Sequence, residues 1–539
     1  MGLQGTMTKT VAVIGAGASG LVAIKCCLDE GLEPTCYEKT DDIGGLWRYK
    51  DDPEEGRASI YRSVIINTSK EMMCYSDYPI PDHFPNYMHN SKIMDYFRMY
   101  AKDFNLLKYI QFKTSVLSVK RSADFSTTGQ WIVTTEKEGK QETRIFNAVL
   151  ICSGHHSFPN LPLASFPGIE KYKGRYIHSR DYKAPNDYQG KRVLVIGIGN
   201  SGGDIAVELS RTAQQVFLST RRGAWVLNRV ADNGLPIDIS RRSRFINLVQ
   251  KMIPVFLMTY IVESSLNKRF NHSNYGLLPR HRFYSQHPTI NDELPNRIIS
   301  GQVQVRPNVK EFRERDVVFD DGTEEKDIDA VVFATGYSFN FPFCEEPVIK
   351  VQSNRVSLYK YMFPPQLERN TLAVIGLIQP LGAIMPISEL QCRLATRVFK
   401  GLVTLPTSDD MTRDIKEKRE RMEKRYVVSQ RHTIQVDYME YMDELSEIVG
   451  VKPSLSQLFF TDPRLAWEVL YGPCTPYQYR LMGPGKWDGA RKAILTQWSR
   501  IIKPTKTRVL DNPTQGISAF LLLKICTVFI VLAAVFLQF

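Results

Sequence analysis

Two glycine-rich motifs of the same form constrain what this chain can fold into. The apolar segment 10–14 leads into glycines at positions 15, 17 and 20, and the apolar segment 192–196 leads into glycines at 197, 199 and 202. A helix-forming stretch and another apolar segment follow each motif. A strand, a tight glycine turn and a helix in this order bind the pyrophosphate of a dinucleotide at the helix N-terminus. Because the motif occurs twice, about 180 residues apart, the sequence predicts two Rossmann-like domains in an α/β fold.

The residues at the end of the second strand distinguish the two predicted sites. In the first unit this strand ends at Glu38, whose carboxylate can accept from both ribose hydroxyls and would repel a 2′-phosphate. In the second unit it ends at Ser219, Thr220 and Arg221, whose hydroxyl and guanidinium groups suit a 2′-phosphate. We therefore expect FAD or NAD at the first site and NADP(H) at the second. The alternative at the second site is an incidental basic turn.

The sequence thus provides two sets of candidate cofactor-binding residues. Paired glycines at 44 and 45 follow the first ribose-binding strand and would let the chain pass close to a flavin ring, although a plain loop is the alternative. The first set comprises Gly15, Gly17, Ala18, Ser19, Gly20, Glu38, Gly45, Leu46 and Trp47. The second set comprises Gly197, Gly199, Asn200, Ser201, Gly202, Ser219, Thr220 and Arg221.

Two further apolar segments, 148–154 and 330–336, end in similar glycine-containing sequence on either side of the second motif. We interpret them as the points where the chain crosses between two domains, one inserted in the other. The predicted FAD-binding domain comprises 8–160 and 337–448, and the predicted NADPH-binding domain comprises 161–219 and 302–336. The remaining predicted units are a mostly helical insertion at 220–301, a C-terminal region at 449–510 and a membrane anchor at 511–539.

The anchor is predicted from the end of the chain, where residues 517–539 are almost wholly apolar. A helix of this length, rising about 1.5 Å per residue, would cross roughly 30 Å of hydrocarbon. Basic residues before it would keep the rest of the chain in the cytosol. These residues are Arg500, Lys503, Lys506 and Arg508. The alternative is an apolar helix that docks on the protein itself.

The insertion 220–301 contains a second apolar stretch, at 244–262, with basic residues on both sides. Lys251 and Pro254 argue against a simple membrane crossing. One interpretation is an amphipathic segment in the plane of the lipid headgroups, beside the path by which substrates enter. The other is an ordinary pair of core helices, and the sequence does not decide between them.

Composition narrows the range of partners. The net charge of +12 suits a phosphorylated cofactor or anionic lipid, and no nucleic-acid recognition motif accompanies it, so we expect no nucleic acid as a partner. Nine cysteines form no CxxC pair. This spacing predicts reduced thiols in a cytosol-facing protein and no metal site. It also argues against a pyridine nucleotide–disulfide reductase, which needs a redox dithiol beside its flavin.

The segment that runs from Tyr172 through Gly174 and His178 to Tyr182 resembles the FxGxxxHxxx(Y/F) fingerprint of flavin-containing monooxygenases. Tyr172 stands where the fingerprint has Phe. The order of all the motifs, the sequence at 334–337 and 375–380, and the apolar tail are similar to that family as well, and the similarity extends from Met7 to the end of the chain. Segments 67–73 and 285–289 resemble the fifth isoform of the vertebrate microsomal type most.

This resemblance implies that NADPH reduces bound FAD and that oxygen then forms a C4a-(hydro)peroxyflavin. That species would oxygenate soft nucleophiles, the sulfides and amines of small lipophilic xenobiotics. Asn67 matches the family's active-site asparagine, Asn200 matches a contact near the nicotinamide, and Asn67 and Gln379 belong with the FAD contacts. The resemblance also implies the membrane of the endoplasmic reticulum, with the catalytic body facing the cytosol. The resemblance does not predict whether the protein forms homo-oligomers.

Two other activities remain open within the resemblance. The likeness to the fifth isoform favours Baeyer–Villiger oxidation of ketones to esters, with His287 as a polar group on the substrate side. The dedicated Baeyer–Villiger class ends its fingerprint in Trp followed by Pro or Asp, where this chain has Tyr182 and Lys183. The other activity is that of an NADPH oxidase, which would release hydrogen peroxide.

Overall fold

A computed structural model of the chain describes residues 8–427 and 433–508. Within them two five-stranded parallel sheets, with helices packed on them, confirm the predicted α/β fold. The predicted membrane anchor at 511–539 lies outside the described residues. Among the helices of the described ranges, none is long and apolar enough to cross a bilayer.

The first sheet is built around Thr10–Ile14, the strand that precedes the first glycine motif. Across the sheet the strands follow the order Leu372–Val374, Ala148–Ile151, Thr10–Ile14, Glu33–Tyr37 and Ile110–Gln111. All pairs are parallel. The central strands are continuous apolar runs because both faces of a parallel sheet are covered. Helix Ala18–Asp29 packs against helix Met385–Lys400 beside this sheet.

The second sheet is built in the same way around Arg192–Ile196. Its strands follow the order Val303–Arg306, Gln215–Ser219, Arg192–Ile196, Ala330–Phe333 and Arg175–His178, and helix Asn200–Leu209 follows the second glycine motif. All five strands come after Ala148–Ile151 and before Leu372–Val374 in the chain. Between the two sheets, Phe158–Pro159 pairs in antiparallel fashion with Tyr337–Ser338. The exact domain boundaries stay a prediction.

Smaller antiparallel sheets extend both units. One comprises Ser115–Arg121, Trp131–Lys137 and Lys140–Phe146, and the other comprises Val309–Phe312, Val317–Phe319 and Glu324–Glu325. Trp131 and Phe146 are fully buried against the first large sheet, and Phe312 and Phe319 against the second. Each large sheet therefore has its own hydrophobic core on the face that its small antiparallel sheet covers.

The insertion 220–301 is mostly helical. Its helices are Ile237–Arg241, Arg244–Met252, Val255–Arg269 and Leu294–Ile299, and its short strands are Val226–Leu227 and Thr289–Ile290. In the two central helices only Thr259 is buried. Large apolar side chains are exposed there instead, including Met252 at 77%, Phe256 at 75% and Tyr260 at 64%. The interpretation of 244–262 as a core helix pair is therefore wrong.

Helix Val255–Arg269 carries apolar residues on two faces. Met258, Val262 and Leu266 line a large cavity in the protein, whereas Phe256 and Ile261 project to the outside. This arrangement explains why the apolar residues of the stretch follow no single helical face. The helix is a wall one helix thick between the cavity and the exterior.

The C-terminal part packs on the first sheet's domain. Its helices are Ser408–Arg425, Tyr438–Val449, Leu455–Thr461, Pro463–Tyr471 and Ala490–Ile502. Arg480 joins the two parts, because its Nη2 lies 2.9 Å from Asp77 Oδ2 and 2.5 Å from Glu389 Oε1. All three side chains are almost completely buried, so this contact depends on the pairing of their charges.

Candidate active site

The first glycine motif forms a turn that only glycine fits. Gly15 has φ of +98°, and a Cβ atom there would lie 2.8 Å from the carbonyl oxygen of Cys152. A Cβ atom at Gly20 would lie 1.8 Å from the carbonyl oxygen of Gly15. Helix Ala18–Asp29 begins directly after this turn, so its free N–H groups face the space above the motif.

The paired glycines at 44 and 45 lie against this motif, as the sequence predicts. The Gly44 N–H donates to the Ala16 carbonyl at 3.0 Å, and a Cβ atom at Gly45 would lie 3.1 Å from Gly17 Cα. Leu46 and Trp47 continue from here in a short 3-10 helix, Gly45–Trp47. On the other side of the turn the Ser19 hydroxyl donates to the Ser388 hydroxyl at 3.0 Å, and the Ala18 carbonyl accepts from Tyr75 at 2.7 Å.

Glu38 faces the same motif from the end of its strand. Its Oε2 accepts from the Ala16 N–H at 2.8 Å, and its Oε1 accepts from the Thr40 N–H at 2.9 Å. The side chain is buried, so these two bonds fix the carboxylate beside the glycine turn. The Thr40 hydroxyl also donates to Oε1 at 2.8 Å. This geometry fits an adenosine ribose, because Oε2 keeps a lone pair for a hydroxyl donor.

The second glycine motif repeats the turn and adds open space. A Cβ atom at Gly197 would lie 2.5 Å from the Ala334 carbonyl oxygen, and one at Gly202 would lie 1.9 Å from the Gly197 carbonyl oxygen. A Cβ atom at Gly199 would meet nothing within 4 Å. The middle glycine therefore leaves room for a ligand to approach the backbone, which fits a pyrophosphate.

The basic turn after the second motif has two arginines, Arg221 and Arg222, that form no ion pair with the residues that the structure describes. The Ser219 hydroxyl donates to the Pro307 carbonyl at 2.7 Å, and the Thr220 hydroxyl accepts from the Gly223 N–H at 3.0 Å. Arg221 is exposed and forms no ion pair with any residue in 8–427 or 433–508. The guanidinium groups of Arg221 and Arg222 both line the cavity and can reach a phosphate, and Thr220 can still donate.

A single open cavity of about 1870 Å³ brings residues of the second predicted set together with Asn67 and Gln379, which the resemblance assigns to the FAD contacts. The predicted residues in its wall are Asn67, Gly197, Gly199, Asn200, Ser219, Thr220, Arg221, His287 and Gln379. The others lie outside that wall: Gly15, Gly17, Ala18, Ser19, Gly20, Glu38, Gly45, Leu46, Trp47, Ser201 and Gly202. Asn67 and Gln379, both predicted to contact the flavin, therefore share one cavity with the second glycine motif.

Asn67 is held by a residue that sequence reasoning missed. Its Oδ1 accepts from Arg229 Nη2 at 2.7 Å and from Arg229 Nε at 3.1 Å. Asp292 fixes the guanidinium from the other side, with its Oδ2 3.1 Å from Arg229 Nη1. The amide oxygen is therefore occupied, and the amide nitrogen keeps its two donors, with no acceptor among the described residues.

Asn200 is oriented in the same way. Its Oδ1 accepts from the Ile290 N–H at 2.8 Å, so its amide nitrogen also remains a donor. Thr289 donates through its hydroxyl to the Ile198 carbonyl, which fixes the strand Thr289–Ile290 on the second glycine motif. Gln379 is positioned by its backbone, because its N–H donates to the Ile434 carbonyl at 2.7 Å.

Three imidazoles in the cavity wall are neutral at physiological pH. Burial lowers the pKa of His155 to about 3 and that of His156 to about 4. Burial also lowers the pKa of His287, whose Nδ1 lies 3.1 Å from the Pro288 carbonyl oxygen. His155 and His156 were not predicted as site residues, although they directly follow the apolar segment at 148–154.

None of the thiols in the described ranges lines the cavity. All eight cysteines of the described ranges are buried and free. Burial raises the pKa of Cys36, Cys152 and Cys392, which lie around the first glycine motif, so these thiols stay protonated. The cavity thus offers oriented amide donors and neutral imidazoles.

Comparison with known proteins places this geometry in a family. The profile of the flavin-binding monooxygenase-like family matches residues 8–539. Flavin-containing monooxygenase 5 of Oryctolagus cuniculus is 66% identical over 504 residues, which cover 94% of each chain. Dimethylaniline monooxygenase [N-oxide-forming] 2 of Mus musculus is 55% identical over 532 residues, which cover 99% of each chain.

Solved structures share the fold at low sequence identity. S-allyl-L-cysteine S-oxygenase from Allium sativum superposes with a TM-score of 0.64 at 22% identity, covering 93% of this chain and 99% of that one. Cyclohexanone monooxygenase from Rhodococcus sp. Phi1 bound to NADP⁺ gives 0.56 at 16% identity, covering 82% and 98%. The sequence matches extend over nearly the whole chain. The chain therefore belongs to the flavin-binding monooxygenase-like family and is an oxidoreductase of the flavin-containing monooxygenase type.

Proposed function

We propose that the protein is an NADPH- and oxygen-dependent flavoprotein monooxygenase that oxygenates sulfide and amine groups of small lipophilic molecules. One observation carries the proposal: Asn67 and Gln379, from the predicted flavin site, line the same cavity as Gly199 and Asn200 of the second glycine motif. A cavity lined from both sides can hold two ring systems in contact, as hydride transfer between them requires.

The residues around the two turns fit the two cofactors. At the first turn Gly17 and Gly45 pack closely on each other, and Glu38 would hold the ribose of FAD. At the second turn Gly199 would face the pyrophosphate of NADPH, and Arg221 would pair with its 2′-phosphate. When bound, the flavin supplies the redox and oxygen chemistry. We include in this proposal the flavin intermediate that the resemblance to flavin-containing monooxygenases implies.

The side chains of the cavity then have positioning roles. The amide nitrogens of Asn67 and Asn200 offer donors that do not titrate, so they can orient bound groups at any physiological pH. The neutral imidazoles of His155 and His156 add no positive charge beside them. Apolar residues from helix Val255–Arg269 line the other part of the cavity and would exclude water around an apolar substrate.

The amount of product formed per NADPH tests this proposal. With methyl phenyl sulfide as substrate, we expect about one sulfoxide for each NADPH consumed, and little hydrogen peroxide. An NADPH oxidase would release about one peroxide per NADPH with or without the sulfide. Peroxide release of that size would contradict the monooxygenase proposal and favour the oxidase. Stopped-flow absorbance after mixing reduced enzyme with oxygen would follow the flavin directly.

Baeyer–Villiger oxidation of ketones is the second candidate function, and Arg242 favours it. The Arg242 side chain lines the cavity, and its guanidinium has no hydrogen-bond acceptor or ion-pair partner in the part of the chain that the structure describes. It lies over the Tyr438 ring, 5.9 Å from the centroid. A free guanidinium in a cavity wall is a donor for a carbonyl oxygen, and it lies close enough to His287 to help lower the pKa of that imidazole.

Lipid contact is part of the same proposal. The exposed apolar side chains of 248–261 would lie at a membrane surface, and the apolar sequence at 517–539 would anchor the chain. Lys268 and Arg269 form no ion pair among the described residues, and their charges suit anionic headgroups beside the exposed patch. We propose the cytosolic face of the endoplasmic reticulum as the location. Fractionation of cells that express the full chain would test it.

A further inference from the structure

Two consecutive charged residues next to the active-site segment are completely buried. Lys70 and Glu71 follow Asn67 by three and four positions, and both have 0% exposure. The Lys70 ammonium donates to the carbonyls of Asp82 at 2.6 Å and Phe84 at 2.9 Å. Neither side chain lines the cavity. Because buried charges are costly unless they are paired, their partners indicate what this segment depends on.

Both partners of Glu71 come from the C-terminal region. Its Oε1 accepts from Arg500 Nε at 2.9 Å, and its Oε2 accepts from the Tyr477 hydroxyl at 2.7 Å. The Arg500 guanidinium also donates to the Ile80 carbonyl. The Glu71 carboxylate therefore keeps its Arg500 partner only when helix Ala490–Ile502 is docked on the segment 71–86.

A second connection joins the same helix to the backbone beside Asn67. The Asn86 side-chain amide donates to the Ile501 carbonyl at 2.8 Å, at the end of the helix. The Asn86 carbonyl in turn accepts from the Lys70 N–H at 2.8 Å. We call these contacts of Arg500 and Ile501 with residues 71–86 the C-terminal latch.

Only a few residues of the chain lie between the C-terminal latch and Asn67 in the cavity wall. The Ser69 N–H donates to Asp238 Oδ2 at 2.7 Å, and the Ile66 N–H donates to the Met88 carbonyl at 2.9 Å. Asn67 lies between these two anchored positions. Its backbone is thus fixed by Met88 and Asp238 on either side and, beyond Ser69, by the latch.

We propose that the last turn of helix Ala490–Ile502 is a positioning element for Asn67, and that Arg500 and Glu71 are positioning residues through which the C-terminal region controls oxygen transfer. This inference rests on the proposed function. When the latch is loosened, Asn67 loses its fixed place in the cavity wall. Electrons from NADPH are then diverted to hydrogen peroxide, because the oriented amide donor is no longer held in place.

The experiment compares Arg500→Gln with Arg491→Gln in the full chain. Arg491 lies on the same helix and pairs with Asp462 at 2.5 Å, far in sequence from the segment 66–86, so its substitution tests the effect of losing an ion pair alone. Two quantities are measured: hydrogen–deuterium exchange of the amides of 66–74, and peroxide released per NADPH with methyl phenyl sulfide present. The double variant Glu71→Gln/Arg500→Gln removes both charges and leaves no unpaired carboxylate.

We expect Arg500→Gln to speed exchange at 66–74 about tenfold or more and to raise the peroxide ratio, because a charge-assisted hydrogen bond is lost. In the double variant we expect the exchange rate at 66–74 and the peroxide ratio to return most of the way to the values of the unsubstituted protein. Arg491→Gln should change neither quantity. Equal behaviour of Arg500→Gln and Arg491→Gln would overturn the inference, as would an unchanged peroxide ratio despite faster exchange. If the unsubstituted protein consumed no NADPH, the proposed function would fail, and the exchange data would still decide whether the latch holds the segment.

Discussion

Arg229 donates two hydrogen bonds to the amide oxygen of Asn67, although the two residues are 162 positions apart. Asp292 holds the guanidinium in turn. This relationship fixes which end of the Asn67 amide faces the cavity, and it makes the nitrogen the functional end. It also explains how a neutral side chain can be held firmly without any charge of its own.

Asn67→Asp separates the two ends of this amide. A carboxylate keeps the acceptor for Arg229 and loses the donor that faces the cavity, so we expect sulfoxide formation to fall about tenfold or more while the fold is kept. The measurement is kcat for sulfoxide together with the thermal unfolding midpoint. Wild-type kcat in this variant would remove the donor role of Asn67.

Glu38→Arg places a cation where the ribose carboxylate is predicted. We expect the purified variant to lose its flavin, because the buried position cannot hold a guanidinium and a ribose together. Flavin absorbance per protein is the measurement. Glu33→Arg, at the exposed start of the same strand, is the matched control and should keep its flavin. A fully yellow Glu38→Arg protein would contradict the assignment of the first turn.

Arg221→Ala removes the exposed one of the two unpaired arginines at the second turn. A charge-assisted contact contributes roughly 1.5–3 kcal/mol, so the Michaelis constant for NADPH should rise about tenfold or more, with little change for NADH. Steady-state kinetics with both nucleotides measure this difference. Arg211→Ala, in an exposed ion pair with Glu293, should leave both constants unchanged. Equal increases for both nucleotides would show that Arg221 does not recognise the 2′-phosphate.

Arg242→Gln tests the ketone reaction separately from the sulfide reaction. We expect ester formation from a ketone to fall about tenfold or more, because the carbonyl oxygen loses a charged donor. Sulfoxide formation from methyl phenyl sulfide should change little, since a sulfide presents no such oxygen. Product analysis with both substrates gives the comparison. A parallel loss of both activities would point to a general role of Arg242 in the cavity wall.

His155 gives the stability of the protein a pH dependence with a defined sign. Its folded pKa of about 3 lies below the ordinary value of 6.5, so the unfolded chain binds more protons between these two values. Stability should therefore decrease as the pH falls from about 6.5 toward 3. His155→Gln should flatten the dependence of the unfolding midpoint on pH in this window. His83→Gln, at an exposed histidine, is the control.

The two cofactor turns could be predicted because their information is local. Gly15 and Gly20 are five positions apart, and two requirements for glycine arise within the turn itself: the positive φ at Gly15 and the contact of a Gly20 Cβ atom with the Gly15 carbonyl. The same holds for Gly197 and Gly202. Glu38 could be predicted as well, because the strand that carries it must end at the same edge of the sheet as the motif.

The supporting contacts could not be predicted, because they join distant parts of the chain. Arg229 reaches Asn67 across 162 positions, and Arg500 reaches Glu71 across 429. Nothing in a single sequence indicates that an arginine and a glutamate so far apart form an ion pair. The sequence does not decide whether 244–262 packs in the core or lies at lipid headgroups for another reason. Its apolar residues lie on two faces of one helix, so their spacing does not show the repeat of a single apolar face.

The wall formed by helix Val255–Arg269 has a consequence for kinetics. If a lipid layer covers the outer face of this helix, as proposed above, only about 10 Å of protein separates that layer from the cavity. For a substrate that dissolves in that layer, the relevant concentration is the one within the layer and not the one in bulk water. Apparent Michaelis constants expressed per volume of buffer should then fall as the substrate becomes more oil-soluble, and should rise when added detergent micelles compete for it.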